Sequence, residues 1–104
     1  MTKSEVSKEF ARLRVFGFCV WNFNSNKAMK FGMVKDFVDH VITDGKYIVF
    51  VEIKIGADKL SEGQKKTSIA LSSASVWNKN LHYKLLTDMK AVKKLVDDLL
   101  IGRL

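Results

Sequence analysis

An Asp-Gly pair at positions 44 and 45 constrains the fold of this chain more than any other part of its sequence. It separates two runs rich in β-branched and aromatic residues, 37–43 and 47–55. Asp-Gly is a preferred pair in tight hairpin turns, so we predict that the two runs form antiparallel strands. The second run is apolar almost throughout, which is typical of a central strand that is covered on both faces.

Amphipathic patterns predict a helix and a strand ahead of the hairpin. Ser4 is a residue type that caps helices, and Gly17 ends the helical pattern that follows it. Apolar residues recur in that pattern at spacings of four and three, at Val6, Phe10 and Leu13. Residues 18–23 are rich in aromatic side chains and predict a strand.

Two more helices and a fourth strand are predicted after the hairpin. Residues 61–64 (SEGQ) fit a capping box that opens a helix through about Val76, with a thin apolar stripe. The stripe consists of Leu60, Ile69 and Val76. Residues 81–86 predict a strand, and Asp88 would cap a closing helix. We therefore expect one domain, 1–104, of α/β (α+β) class: a mixed four-stranded sheet flanked by helices.

The overall charge narrows the range of binding partners. The 104 residues include 18 Lys and Arg against 11 Asp and Glu, which gives a net charge of +7 and favours polyanionic partners. The single cysteine, Cys19, is expected to be a buried core thiol, and Trp21 and Trp77 are expected in the core. We see neither a signal peptide nor a membrane span, and expect a cytoplasmic protein without a membrane partner.

A charged pair ends the predicted central strand. Glu52 and Lys54 are two residues apart, so their side chains point to the same face of the sheet. The hairpin brings Asp39 alongside residues 50–52, so Asp39 and Glu52 can share that face. Two converging carboxylates form a hard oxygen site that suits Mg²⁺ or Mn²⁺. The alternative is a surface ion pair between Glu52 and Lys54, which contributes little to stability.

Three segments together resemble a known enzyme family. Residues 38–45 (VDHVITDG), 51–54 (VEIK) and 60–64 (LSEGQ) are similar to motifs of the PD-(D/E)XK nucleases, most of all the VRR-NUC and Holliday-junction-resolvase-like branch. The resemblance implies a restriction-endonuclease-like αβββαβ core, here with an extra C-terminal helix. It also implies a Mg²⁺-dependent DNA endonuclease that hydrolyses phosphodiester bonds, with branched or junction DNA as a candidate substrate.

The resemblance assigns roles to the residues of these segments. Asp39 and Glu52, with the carbonyl of Ile53, would hold Mg²⁺ or Mn²⁺. Lys54 would position the attacking water or stabilise the pentacovalent phosphate. Gln64 would orient water or substrate, although a capping box alone also explains a Gln at this position.

Two further acids are candidates for the metal site. Asp36 is the alternative to Asp39, because the chain has no proline before Asp39 to mark the motif. Glu9, on the first helix together with Glu5, is a candidate for the additional acid that members of this family often carry there.

The expected partner is DNA, without a small-molecule cofactor. Lysines in the 24–35 segment and around the start of the second helix would bind the DNA backbone, with release of its counterions. These are Lys27, Lys30, Lys35, Lys59, Lys65 and Lys66. A nuclease this small has little surface to enclose a duplex, so we expect a homodimer, and such a compact enzyme suits a virus or mobile element. A non-catalytic nucleic-acid-binding module is the alternative, and the choice between endonuclease and exonuclease stays open.

Overall fold

The computed structural model describes residues 1–23 and 36–104. The predicted basic segment with Lys27, Lys30 and Lys35 lies outside the described residues. The described elements are α1 (Lys3–Val15), β1 (Cys19–Asn22), β2 (His40–Thr43), β3 (Ile48–Ile53), α2 (Glu62–Trp77), β4 (Leu81–Leu86) and α3 (Met89–Leu100). This order, αβββαβα, confirms the predicted fold class of a mixed four-stranded sheet with flanking helices.

The strands lie in the order β1-β2-β3-β4, which makes β3 a central strand as predicted. The first three strands are antiparallel, and β4 is parallel to β3. The Asp-Gly turn forms as expected: Asp44 Oδ1 accepts hydrogen bonds of 2.9 Å from the N–H groups of Lys46 and Tyr47. Gly45 adopts a φ of 94°, a conformation that other residues rarely adopt.

The hydrophobic core lies between one face of the sheet and the helices α1 and α3. Alternate residues of β3 point into it, namely Val49, Val51 and Ile53. The predicted stripe of α1 is buried there too, at Val6, Phe10 and Leu13. Four residues of α3 complete the core: Val92, Leu95, Val96 and Leu99. Burial of each such side chain stabilises the fold by about 1.5–3 kcal/mol, so this face anchors the whole sheet.

The opposite face of the sheet is more polar and is covered by α2. A row of aromatic rings crosses it, in which Phe37 packs edge-on against Phe23 and Phe50 with centroid distances of 5.4 and 6.0 Å. The prediction that the apolar stripe of α2 forms its packing face is wrong, because Ile69 and Val76 are exposed. The helix instead turns a face with small polar residues toward the sheet, where Thr67, Ser68 and Ser75 are partly buried.

Other local expectations also need correction. Cys19 is exposed rather than buried, because β1 is an edge strand and Cys19 lies on its more open face. Trp21 and Trp77 are not core residues either, and the side chain of Trp77 is 86% exposed at the end of α2. Thr2, not Ser4, caps α1, because Thr2 and Glu5 form a complete capping box earlier in the chain. No helix within 1–23 and 36–104 is long and apolar enough to cross a membrane.

Candidate metal centre

Asp39 and Glu52 meet where β2 begins and β3 ends. The register pairs His40 with Val51, so the next pair along the two strands is Asp39 with Glu52. The N–H of Asp39 donates to the carbonyl of Val51 at 3.0 Å. These contacts confirm that the hairpin places Asp39 beside the end of β3, with its side chain on the same face as that of Glu52.

Glu52 is a buried carboxyl group, with a side chain only 3% exposed. Burial, followed by the charge of Asp39 and a hydrogen bond between the two carboxyl groups, raises the pKa of Glu52 to about 7. A hydrogen bond between two carboxyl groups requires a proton on one of them. A cation bound between the two carboxyl groups would compete with that proton.

Lys54 lies beside this pair on the same face, as strand alternation predicts. Its Nζ is 3.7 Å from Oε1 of Glu52, and its positive charge opposes the rise in the pKa of Glu52. The interpretation of Glu52 and Lys54 as a surface ion pair is wrong, because Glu52 is buried and the side chain of Lys54 is only 16% exposed. An ammonium group in this position can donate to an anionic ligand that approaches the two carboxyl groups.

Gln64 serves both of the roles that its sequence position indicates. Its Oε1 accepts from the N–H of Ser61 at 2.9 Å, and its own backbone N–H donates to Ser61 Oγ at 3.1 Å, which completes the capping box. Its Nε2 then donates to Oε1 of Glu52 at 3.3 Å. The helix cap therefore fixes the side chain of Gln64 and directs its amide group at the buried carboxyl group.

Asp36 packs against the start of α2 instead of joining Glu52. Its Oδ1 accepts from Ser61 Oγ at 3.3 Å, and its carbonyl accepts from Thr67 Oγ1 at 3.0 Å. A Cβ atom on Gly63 would lie only 2.0 Å from Oδ2 of Asp36, so only glycine permits this approach. Of the two candidate aspartates, Asp39 is therefore the one that lies beside Glu52, whereas Asp36 contacts the start of α2.

The acids of α1 do not reach the pair. Glu9 bonds to Arg12 on its own helix, and Glu5 accepts from the N–H of Thr2 at 3.0 Å. The α1 residues that border Asp39 are instead Lys3 and Ser7, which sequence reasoning missed. Their spacing of four places them on one face of the helix, but no sequence pattern relates that face to Asp39.

The lysines around the start of α2 lie on the surface. Lys59, Lys65 and Lys66 are exposed, and Lys65 pairs with Glu62 at 3.1 Å. All three are thus accessible to a polyanion, and Lys59 and Lys66 have no ion pair within the described parts of the chain.

The donor atoms present suit a hard divalent cation. Within residues 1–23 and 36–104, no group of three or more His, Cys, Asp or Glu side chains could hold a metal ion. Asp39 and Glu52 supply two carboxylates, and Mg²⁺ commonly takes one or two carboxylates and completes its shell with water and phosphate oxygens. A cation between them would also remove the repulsion that raises the pKa of Glu52.

No protein-family model, curated protein or solved structure matches this chain.

Proposed function

We propose that this protein is a metal-dependent DNA endonuclease that hydrolyses phosphodiester bonds. The observation that supports this most is the meeting of Asp39 and Glu52 at one spot on the sheet, with Lys54 and Gln64 both directed at Glu52. A buried acid such as Glu52, beside a second carboxyl group and an ammonium group, is costly for the fold, which is typical of a functional site. An intracellular location is part of the proposal.

Asp39, Glu52 and the carbonyl of Ile53 would hold Mg²⁺ or Mn²⁺. When bound, such an ion polarises a phosphate oxygen and lowers the pKa of a coordinated water. The N–H of Ile53 donates to Oδ2 of Asp39 at 2.7 Å, so the backbone of β3 orients this carboxyl group. The two acids are thus positioned by neighbouring strands before any ion arrives, which limits the entropic cost of binding it.

Lys54 supplies the positive charge at the reacting phosphate. Hydrolysis adds a water oxygen to phosphorus and breaks the bond to the leaving oxygen, and negative charge grows on the phosphoryl oxygens in between. The Lys54 ammonium group can donate to the attacking water or to one of these oxygens. Gln64 acts mainly on Glu52, because its Oε1 is already bonded to Ser61 and only its amide N–H groups face the site.

The positive surface would hold the DNA backbone. Lys59, Lys65 and Lys66 lie exposed around the start of α2, the helix that carries Gln64. With a net charge of +7, binding to DNA should weaken steeply with salt. A branched or junction substrate remains part of the proposal.

A homodimer also belongs to the proposal. The outer face of α2 exposes Ile69, Val76 and Trp77, and apolar side chains that gather on a surface often mark an interface. Sedimentation equilibrium should give twice the mass of the chain. A Trp77→Ala variant that sediments like the parent would exclude Trp77 from the interface.

Cleavage of labelled DNA in Mg²⁺ tests the proposal. The parent should cut, and Asp39→Ala and Glu52→Ala should lose the activity, as should the parent with the metal chelated. A Lys79→Gln variant, altered in the turn before β4, should cut at the parental rate. Equal rates for the parent and both acid variants would show that the assignment is wrong.

A non-catalytic nucleic-acid-binding module is the alternative function. It is favoured by the absence of a third acidic or imidazole ligand beside Asp39 and Glu52 among the described residues. Calorimetric titration with Mn²⁺ separates the two functions, since a module should bind DNA and give no heat with the metal.

A further inference from the structure

A cavity of about 190 Å³ lies between the start of α1 and the strand ends that carry Asp39 and Ile53. Its polar lining comes from Lys3 and Ser7 of α1, together with Asn22, His40 and the carboxyl group of Asp39. One water occupies about 30 Å³ in the liquid, so the cavity holds a group of several heavy atoms. It borders the candidate metal centre on the side away from α2.

A second cavity, of about 120 Å³, continues along α1 from the first. Both are bordered by Ser7, Asn22 and His40, and the second also by Arg14. Lys3, Ser7 and Arg14 are spaced by four and seven residues, which places them along one face of the helix. The lining thus carries the cations Lys3 and Arg14, neutral hydrogen-bonding groups between them, and the carboxyl group of Asp39, whose charge a cation at the candidate metal centre would offset.

His40 borders both cavities and carries an unsatisfied polar atom. The residue is 6% exposed, and its Nδ1 is buried without a hydrogen-bond partner among the described residues. A buried polar atom without a partner is costly, and a ligand oxygen that reaches an Nδ1–H group would remove this cost.

We propose that the cavity between Lys3 and Asp39 is a phosphate subsite that holds a backbone phosphate of the nucleic acid next to the cleaved bond. This inference rests on the proposed function for the identity of its ligand. The ammonium group of Lys3 carries the attraction, the hydroxyl of Ser7 donates to a phosphate oxygen, and the N-terminal end of α1 favours negative charge. Lys3 therefore acts as a substrate-positioning residue, while Glu5 of the same turn is bonded to the N–H of Thr2.

Titration with inorganic phosphate, followed by ¹⁵N-resolved NMR without added metal, tests the subsite itself. Saturable shifts should centre on the amides of Lys3, Ser7 and His40 in the parent, and Lys3→Gln should lose them. Lys8→Gln is the matched control, because Lys8 is exposed on the same helix and lines neither cavity. Equal shifts in both variants, or none in the parent, would overturn the subsite.

Anisotropy of a labelled duplex, measured in a chelator so that no cleavage occurs, identifies the source of the phosphate. Lys3→Gln should weaken binding several-fold and reduce the slope of log K against log salt by about 0.9, the value for one phosphate contact. Ser7→Ala should weaken binding less, while Lys8→Gln and Ser4→Ala should match the parent. If inorganic phosphate binds but Lys3→Gln and Lys8→Gln bind DNA equally, the nucleic-acid assignment is overturned.

The two proposals fail in different ways. Cleavage by the parent, together with equal behaviour of Lys3→Gln and Lys8→Gln, would keep the nuclease and remove the subsite. Phosphate shifts that depend on Lys3, in a protein that cuts no DNA, would keep the subsite and remove the nuclease.

Discussion

Oδ2 of Asp39 accepts a hydrogen bond of 2.7 Å from the N–H of Ile53, the residue that follows Glu52 in β3. This bond continues the β2–β3 ladder with a side chain in place of a backbone carbonyl. Asp39 is thereby both a structural acceptor and a candidate metal ligand, and the two roles can be separated by mutation.

Asp39→Asn should keep the fold and lose the metal site. The amide oxygen of Asn can still accept from Ile53, so the free energy of unfolding should change by less than about 1 kcal/mol. Asp39→Ala should cost about 1–3 kcal/mol, because it leaves that N–H without its acceptor. Urea unfolding of the two variants measures the difference. Equal destabilisation by both would contradict the structural role of this bond.

The pKa of Glu52 predicts an unusual dependence of stability on pH. Folding raises this pKa from its usual 4.5 to about 7, so the folded state binds more protons between these values. The contribution of protonated Glu52 to the free energy of unfolding is therefore fully present below about pH 4.5. It is lost as the pH rises through about 7. Between about pH 5.5 and about pH 8 the parent should lose at most about 2 kcal/mol from this group.

Glu52→Gln is the control for that measurement, since it removes the titrating group and keeps a similar shape. Urea unfolding at the two pH values should show a smaller decrease in the free energy of unfolding for the variant than for the parent, because the variant has no carboxyl group at position 52. An identical pH dependence in the parent and in Glu52→Gln would contradict the raised pKa. Protons and cations compete for this carboxyl group, so metal binding should also weaken below about pH 7.

Lys54→Gln should separate chemistry from binding. Removal of an ammonium group that stabilises the transition state should slow cleavage by about 100-fold or more. Mn²⁺ should still bind to this variant. The pH at which protons begin to displace the metal should be higher than in the parent, because the charge of Lys54 lowers the pKa of Glu52. Single-turnover cleavage and calorimetry measure the two effects. Normal cleavage by Lys54→Gln, with Lys79→Gln as the control, would remove Lys54 from the mechanism.

The close approach of Asp36 to Gly63 predicts that the effect of Gly63→Ala on the free energy of unfolding changes sign when Asp36 is replaced. In the parent, Gly63→Ala places a methyl group against Asp36 and should destabilise the protein. In an Asp36→Gly background the same change should stabilise it by up to about 1 kcal/mol, since alanine is the better helix former. Gly also suits the φ of 65° at position 36. Additive effects would show that the two residues do not touch.

Local patterns are enough to predict the order of elements and the register at the site. The Asp44-Gly45 turn determines the pairing of β2 with β3, so the residue pattern alone predicts that Asp39 lies beside Glu52. The capping box likewise predicts the start of α2 and the position of Gln64. The turn and the capping box are both formed by residues that are close in sequence, so both can be predicted from the sequence alone.

Features that depend on distant packing could not be predicted in this way. Which face of α2 meets the sheet depends on contacts with strands that are distant in sequence, and the apolar residue Ile69 lies outside against expectation. Cys19 is exposed because β1 lies at the edge of the sheet, a fact of strand order rather than of composition. Lys3 lines a cavity together with Asp39 because α1 packs against strands that are distant from it in sequence.

Calorimetric titration with Mn²⁺ tests the central claim most directly, because it measures whether Asp39 and Glu52 together hold a cation. We predict saturable binding to the parent at about pH 8, and its loss in both Asp39→Asn and Glu52→Gln while each variant remains folded. No heat with the parent, or binding that both variants retain, would contradict the metal centre and the nuclease built on it.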